Sequence, residues 1–192
     1  MKKKDIIQAP QGETIVLLHT CCAPCSSAII EALLHGGITP VIYYCNPNIY
    51  PQEEYEIRKD ECTRYARSLG LEIIDADYDH EDWLAQIKGL EEEQERGGRC
   101  LKCFRIRLLR TAEYAHKRGI KVITTTLASS RWKSLEQINE AGCWACNQMD
   151  GVIWWDRNWR KGGLQERRLQ IIKEYDFYNQ QYCGCEFSMR KG

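Results

Sequence analysis

The densest chemistry in this 192-residue chain is Cys21-Cys22-Ala23-Pro24-Cys25. The group follows the apolar run Thr14-Ile15-Val16-Leu17-Leu18 and opens a helix-like segment from Ser26 to Leu34. A strand feeding a tight turn and a helix N-terminus is where α/β proteins place ligand chemistry, because free backbone N–H groups and the helix dipole favour negative charge there. Thiols at such a place are biased toward the thiolate, the form that binds metal or attacks an electrophile. Three small buried hydrophobes would be the bland alternative, since free cysteine packs well in cores.

Three further pairs extend the thiol set. Cys100-Leu101-Lys102-Cys103, added to Cys21 and Cys22, makes a four-thiolate group drawn from the starts of two helices. Four thiolates suit structural zinc or an iron–sulfur cluster; a vicinal pair beside an α/β pocket favours the cluster. Cys183-Gly184-Cys185 differs in kind, because one intervening glycine permits a small, strained and therefore reducible disulfide, the property of a catalytic dithiol. Two more metal ligands on a C-terminal tail would be the alternative. Cys143-Trp144-Ala145-Cys146 has the spacing of a metal hook or a redox couple, with only Cys183 and Cys185 left to complete a second site. Cys25, Cys45 and Cys62 are expected to pack, with Cys25 the one most able to reach the cluster pocket.

A stretch rich in rings and cations, Trp154 to Lys161 with Arg167 and Arg168 beyond it, could grip RNA. Arg157, Arg160, Lys161, Arg167 and Arg168 offer charge for phosphates, and the tryptophans offer faces for unpaired bases. A tryptophan-anchored core strand with a solvated edge explains the same composition equally well. Lys and Arg together balance Asp and Glu at 27 each, so bulk charge predicts neither nucleic acid nor membrane binding. No run approaches the roughly 20 apolar residues of a membrane helix, and Pro10 to Glu13 interrupt the basic N-terminus before a signal-like core can form. A cytoplasmic protein is expected, in which eleven cysteines argue for metal or redox chemistry over structural disulfides.

Placing these groups requires alternating strands and helices. Apolar runs at residues 14–18, 39–45, 71–75 and 121–127 read as strands. Helices are expected from Ser26 to Leu34, Pro51 to Leu69, around Trp83, Phe104 to Arg118, Ser134 to Ala141 and Leu164 to Glu174. The acidic tract Glu91 to Glu95 reads as a solvated helix end without a function. Together these predict one α/β domain over residues 1–192: a doubly wound, mostly parallel sheet, Rossmann-like or HUP-like, with a C-terminal helical, cysteine-bearing extension and a flexible tail over residues 1–12.

Six segments taken together resemble the epoxyqueuosine reductase family of the QueH type: LLHTCCAPCS (17–26), YYCNPNIYPQEEYEIR (43–58), RCLKCFRIRL (99–108), TTTLASSRWK (124–133), WDRNWRKGG (155–163) and YNQQYCGCEFS (178–188). The resemblance implies an iron–sulfur enzyme that deoxygenates the cyclopentane epoxide of epoxyqueuosine in the tRNA anticodon loop. It implies a 4Fe-4S cluster on Cys21, Cys22, Cys100 and Cys103, an additional adjacent metal ion such as iron, a redox-active pair at Cys183 and Cys185, and an external electron donor, a ferredoxin, flavodoxin or thiol system. Asp156, with Glu186, His19 and Tyr182 behind it, is the candidate proton donor to the departing oxygen. The Cys143/Cys146 pair falls outside the family pattern. A sulfur transferase on an ATP-pyrophosphatase-like fold would place its chemistry at the same first loop, but it needs a glycine-serine-rich loop where this chain has cysteines. A non-enzymatic zinc module that grips RNA is the third reading.

Overall fold

The computed structural model describes residues 7–189. Five strands, β1 (Ile15–His19), β2 (Thr39–Tyr44), β3 (Ile73–Asp75), β4 (Val122–Thr125) and β5 (Ile153–Trp154), form one parallel sheet in the order β3-β2-β1-β4-β5. Six helices cover it: α1 (Ala23–His35), α2 (Gln52–Ser68), α3 (His80–Gln86), α4 (Gly98–Arg118), α5 (Leu135–Cys146) and α6 (Leu164–Glu174). α1 packs against α2 and α6, and α4 packs against α5, so both faces of the sheet are covered. This explains why Val16, Leu17 and Leu18 of the central strand are all apolar: both their sides are buried. The doubly wound α/β fold expected from the sequence is the fold observed.

Chain direction away from the sheet centre reverses between β1 and β4, which makes the space beyond their C-terminal ends the switch-point crevice. The β1 exit is tied on both sides. Thr20 N–H donates to the Tyr43 carbonyl at 2.9 Å, and the Asn46 amide donates to the Thr20 carbonyl at 2.9 Å. Cys21 N–H donates to Thr126 Oγ1 at 3.2 Å, stitching the first cysteine to the turn Thr126–Ser129 that follows β4.

Three elements differ from the expectation. α4 starts at Gly98, six residues before Phe104, because the Glu93 carboxylate accepts from the N–H groups of Gly98 and Arg99 and so caps the helix from outside. A Cβ at Gly97 would collide with that carboxylate, so the Gly-Gly pair makes the cap possible. The acidic tract is therefore the device that places Cys100 and Cys103 in the first turns of a helix. α5 runs on through Cys143 and Cys146, putting this pair on a helix with Cys143 exposed and Cys146 buried. Lastly, the tryptophan-rich stretch is core: Trp159 is fully buried and Trp155 nearly so, edge to face at 5.3 Å, so neither ring is free to stack on a base. Of the expected N-terminal tail, residues 1–6 lie outside the described residues, while Ile7 and Ala9 are buried against the core.

β5 is held to α5 by one close approach, Gly142 lying flat against the Trp154 indole. Gly142→Ala should therefore lower stability by about 1–3 kcal/mol, read as a drop in the denaturant midpoint at constant slope.

Candidate active site

Two groups of thiols lie in this part of the molecule, and among the described residues only Cys21, Cys22 and Cys25 come together at metal-ligand range. In the first, the sulfurs of Cys21, Cys22 and Cys25 all lie within 4.8 Å of one another, Cys22 capping α1 and Cys25 in its first turn. The pair Cys21/Cys22 is 3.8 Å apart, and Cys21 Sγ also lies 3.4 Å from Thr126 Oγ1. Hydrogen bonds from Cys22 and Cys25 hold the Cys21 thiol well below its ordinary pKa, with the Lys133 charge and Thr126 adding to the effect against burial. Cys22 moves the other way through burial, and Cys25 is pushed up to about 12 chiefly by its bond to Cys21. Of the three, Cys21 is the thiol most biased toward the thiolate.

Cys100, Cys103 and Cys185 make the second group; burial, with neighbouring Cys183 adding to it, raises the pKa of each of the three thiols. Cys103 and Cys185 share a small apolar cluster with Trp83, Ile87 and Ile106, and burial pushes the Cys103 thiol up to about 12. Cys183, by contrast, is exposed, and it opens with Cys21 and Cys25 into one cavity of about 810 Å³. That volume is in the range of small-molecule sites and would admit a nucleoside. Neither Cys143 nor Cys146 lines this cavity.

The C-terminal segment is placed by a buried ion pair on α2. Arg58 and Glu54, one helical turn apart, meet at 2.6 Å. Arg58 then donates to the carbonyls of Cys183 at 3.3 Å and Tyr182 at 3.4 Å, with its guanidinium over the Tyr182 ring. The other Glu54 oxygen accepts from the Tyr178 hydroxyl at 2.8 Å. Gly184 has φ of +136° and a Cβ there would press on Ile49, Asn48 and Arg58, so glycine is required between the two cysteines. Gln180 closes the join, its amide donating to Cys22 Sγ at 3.0 Å.

Two cations stand among the thiols. Arg107 is buried and finds only neutral acceptors, the Cys45 carbonyl and Asn46 Oδ1, while the charges of Cys103, Cys21 and Cys183 raise its pKa. Half-buried Lys133 is likewise raised by Cys183, Cys21 and Cys25. A buried guanidinium without a carboxylate partner needs an anion, and thiolates are the anions at hand. The Cys21, Cys22 and Cys25 sulfurs, with fixed positive charge nearby, fit a thiolate-bound metal centre. Lys133 and Gln180 fall within the segments TTTLASSRWK and YNQQYCGCEFS, but nothing in those motifs alone gave either of them a role.

The other expected site residues fall in several places. His19 is fully buried: its Nε2–H donates to the Cys45 carbonyl at 3.0 Å, leaving Nδ1 to accept from the Thr125 hydroxyl at 2.7 Å. Burial and the Arg107 charge lower its pKa to about 3, so it is a neutral structural link and no proton donor. Asp156 is exposed and does not line the cavity. Glu186 Oε2 faces His80 Nε2 at 3.0 Å, and Tyr182 lines the cavity with its hydroxyl bound to the Tyr50 carbonyl. Arg160 and Arg168 line the cavity, Arg168 donating to the Pro24 carbonyl at 2.9 Å. Arg157 lies against Trp159, Lys161 is exposed, and Arg167 is held between Glu31 and Glu174.

A thiol-centred site at the switch point of a doubly wound parallel sheet defines a protein of the redox or metal-dependent α/β class. The model of the epoxyqueuosine reductase QueH family matches residues 16–191. The chain is 49% identical to epoxyqueuosine reductase QueH of Haemophilus influenzae, with 97% of this chain and 76% of the relative aligned. The namesakes from Acinetobacter baylyi and Thermotoga maritima are 46% and 34% identical, over 98% and 91% of this chain and 87% and 90% of their own lengths. This chain belongs to the epoxyqueuosine reductase QueH family.

The lowered Cys21 pKa gives a pH prediction for metal-free protein: of the three clustered thiols, Cys21 is the one biased toward the thiolate below the ordinary thiol range near 8.5, while Cys22 and Cys25 are pushed up. Iodoacetamide at about pH 6.5 should label Cys21 first by peptide mass spectrometry. Preferential labelling of Cys22 or Cys25 would reverse the assignment.

Proposed function

We propose that this protein is an epoxyqueuosine reductase acting on tRNA in the cytoplasm, converting the epoxide of the modified anticodon nucleoside to the alkene of queuosine. The observation that carries the reading is the single cavity into which Cys21, Cys25 and Cys183 open together at the sheet's switch point. Family membership supports the reaction class, and the cavity's cations suit an RNA substrate.

Removing an epoxide oxygen as water consumes two electrons and two protons. Oxidation of the Cys183/Cys185 dithiol to a disulfide releases two electrons and two protons, so one cycle of the pair balances one deoxygenation, and an external donor must then reduce it. Their unequal burial suits an asymmetric couple, with Cys183 facing substrate and donor while Cys185 is the enclosed partner. Cys21, Cys22, Cys100 and Cys103 would hold a 4Fe-4S cluster, and Cys25, whose sulfur lies within 4.8 Å of those of Cys21 and Cys22, would be a candidate ligand for an additional iron ion. When bound, these centres supply one-electron transfer and a Lewis acid for the leaving oxygen. Lys133 stays cationic beside Cys21 and Cys183 and offsets charge gathering on the sulfurs and on the epoxide oxygen. Arg160 and Arg168, on the cavity wall, are the best placed of the five expected cations to meet phosphate, and Asp156 would approach the site only from the rim.

Anaerobic protein given dithionite and tRNA bearing epoxyqueuosine should form queuosine, detected by mass spectrometry of digested nucleosides. The Cys183→Ser, Cys185→Ser double variant should keep its iron, sulfide and brown colour while losing multiple turnover. Loss of the visible absorbance would make these residues ligands, and turnover at the parent rate would remove them from the mechanism. Stoichiometric zinc without sulfide in the parent would exclude the cluster altogether.

A further inference from the structure

Trp132 is 67% exposed, the most exposed large apolar side chain among the described residues, and it stands on the rim of the thiol cavity. Its backbone is far from loose. Arg96 donates through Nε to the Trp132 carbonyl at 2.9 Å and through Nη2 to the Arg131 carbonyl at 3.1 Å. Arg160 donates to the next carbonyl, that of Lys133, at 2.8 Å. Trp132 N–H in turn donates to Ser130 Oγ at 3.3 Å. Three successive carbonyls are thus pinned by two guanidiniums from separate elements, and Arg96 is itself held through its own carbonyl by the Gln137 amide at 2.8 Å.

Arg131 lies over the indole with its guanidinium 5.0 Å from the ring centroid, supporting one face and leaving the other to solvent. A large ring on a fixed backbone has already met the ordering cost that binding otherwise imposes. The surroundings select the occupant: Arg58, Arg131, Lys133, Arg160 and Arg168 line this cavity against one carboxylate, Glu95. Such a field repels a basic partner and attracts a polyanion, and an exposed aromatic within it fits an unpaired base.

We propose that the Arg131-Trp132 pair is the stacking platform for an unpaired RNA base next to the nucleoside that enters the cavity, with Arg96 and Arg160 as the residues that position it. The inference rests on the tRNA reading above and adds where the loop is gripped. It also moves the stacking role from the buried Trp155 and Trp159 to a residue some twenty positions earlier.

The test is binding of a fluorescently labelled anticodon stem-loop RNA to the anaerobically purified protein, by anisotropy across a salt series. Trp132→Ala should weaken binding by roughly five- to a hundredfold, the range for losing one base–aromatic stack, with the salt slope unchanged because no charge is removed. Trp132→Phe should recover most of the affinity. Parent-like affinity for Trp132→Ala overturns the platform, and does so without touching the enzymatic reading if the parent still converts epoxyqueuosine in tRNA. A parent that neither binds the hairpin nor converts the tRNA overturns both. If Trp132→Ala instead turns a dimer into a monomer at unchanged RNA affinity, the ring serves a second copy of the chain and the proposal is wrong.

Discussion

The buried pair between Arg58 and Glu54 ties the two ends of this molecule's chemistry together. Taking two charges out of water is costly, and a lone pair of this kind adds little stability unless every remaining hydrogen-bonding site is used. Here both partners are shared: Glu54 also accepts from Tyr178, and Arg58 also donates to the carbonyls of Tyr182 and Cys183. The polar cluster on α2 thereby becomes a clasp for a segment more than a hundred residues later in the chain. It acts with further ties on the same segment: the Gly184 carbonyl accepts from Tyr50 N–H at 2.9 Å, Gln180 donates to Cys22 Sγ, Glu186 meets His80, and Cys185 packs in the cluster of Trp83 and Ile87.

The second constraint is electrostatic. Cys21, Cys25 and Cys183 line the crevice, and burial raises the pKa of the buried thiols Cys22, Cys103 and Cys185 near it. Arg107 and Lys133 offset this from inside, while His19 adds no third cation, being kept neutral by its own burial and by Arg107. The site therefore holds fixed positive charge that cannot be discharged by a nearby carboxylate, the arrangement that favours thiolate over thiol. A protein using these sulfurs as ligands or as a redox couple needs that bias in either case.

Local signals carried much of this into the sequence. Parallel strands buried on both faces are mostly apolar or β-branched, so β1, β2 and β4 were legible, and glycines at helix ends marked their stops. The thiol sets were legible because cysteine spacing is local. What escaped depended on distant partners. The start of α4 is fixed by Glu93 reaching back across a loop, and a carboxylate in a run of acids carries no mark of that role. Trp155 and Trp159 read equally as core or as stacking faces, a choice only packing against β4 makes; Trp159 Nε1 donates to Thr124 at 3.1 Å. Arg167 looks like a free cation until Glu31, 136 residues away, is seen beside it. Lys133, Gln180 and the Arg58–Glu54 clasp belong to the same class, side chains whose meaning comes from what the fold brings to them.

The claim on which the account turns is that the α2 ion pair docks the Cys183-Gly184-Cys185 segment onto the thiol crevice. Amide hydrogen exchange of the Glu54→Gln, Arg58→Met double variant, in which neither charge is left buried alone, tests it most directly. Exchange in peptides covering residues 176–189 should rise toward the rate of an unprotected chain while peptides from β1, β2 and β4 keep parent protection. Parent-like protection of residues 176–189 would contradict the account, because the segment would then be held in place by something other than this pair.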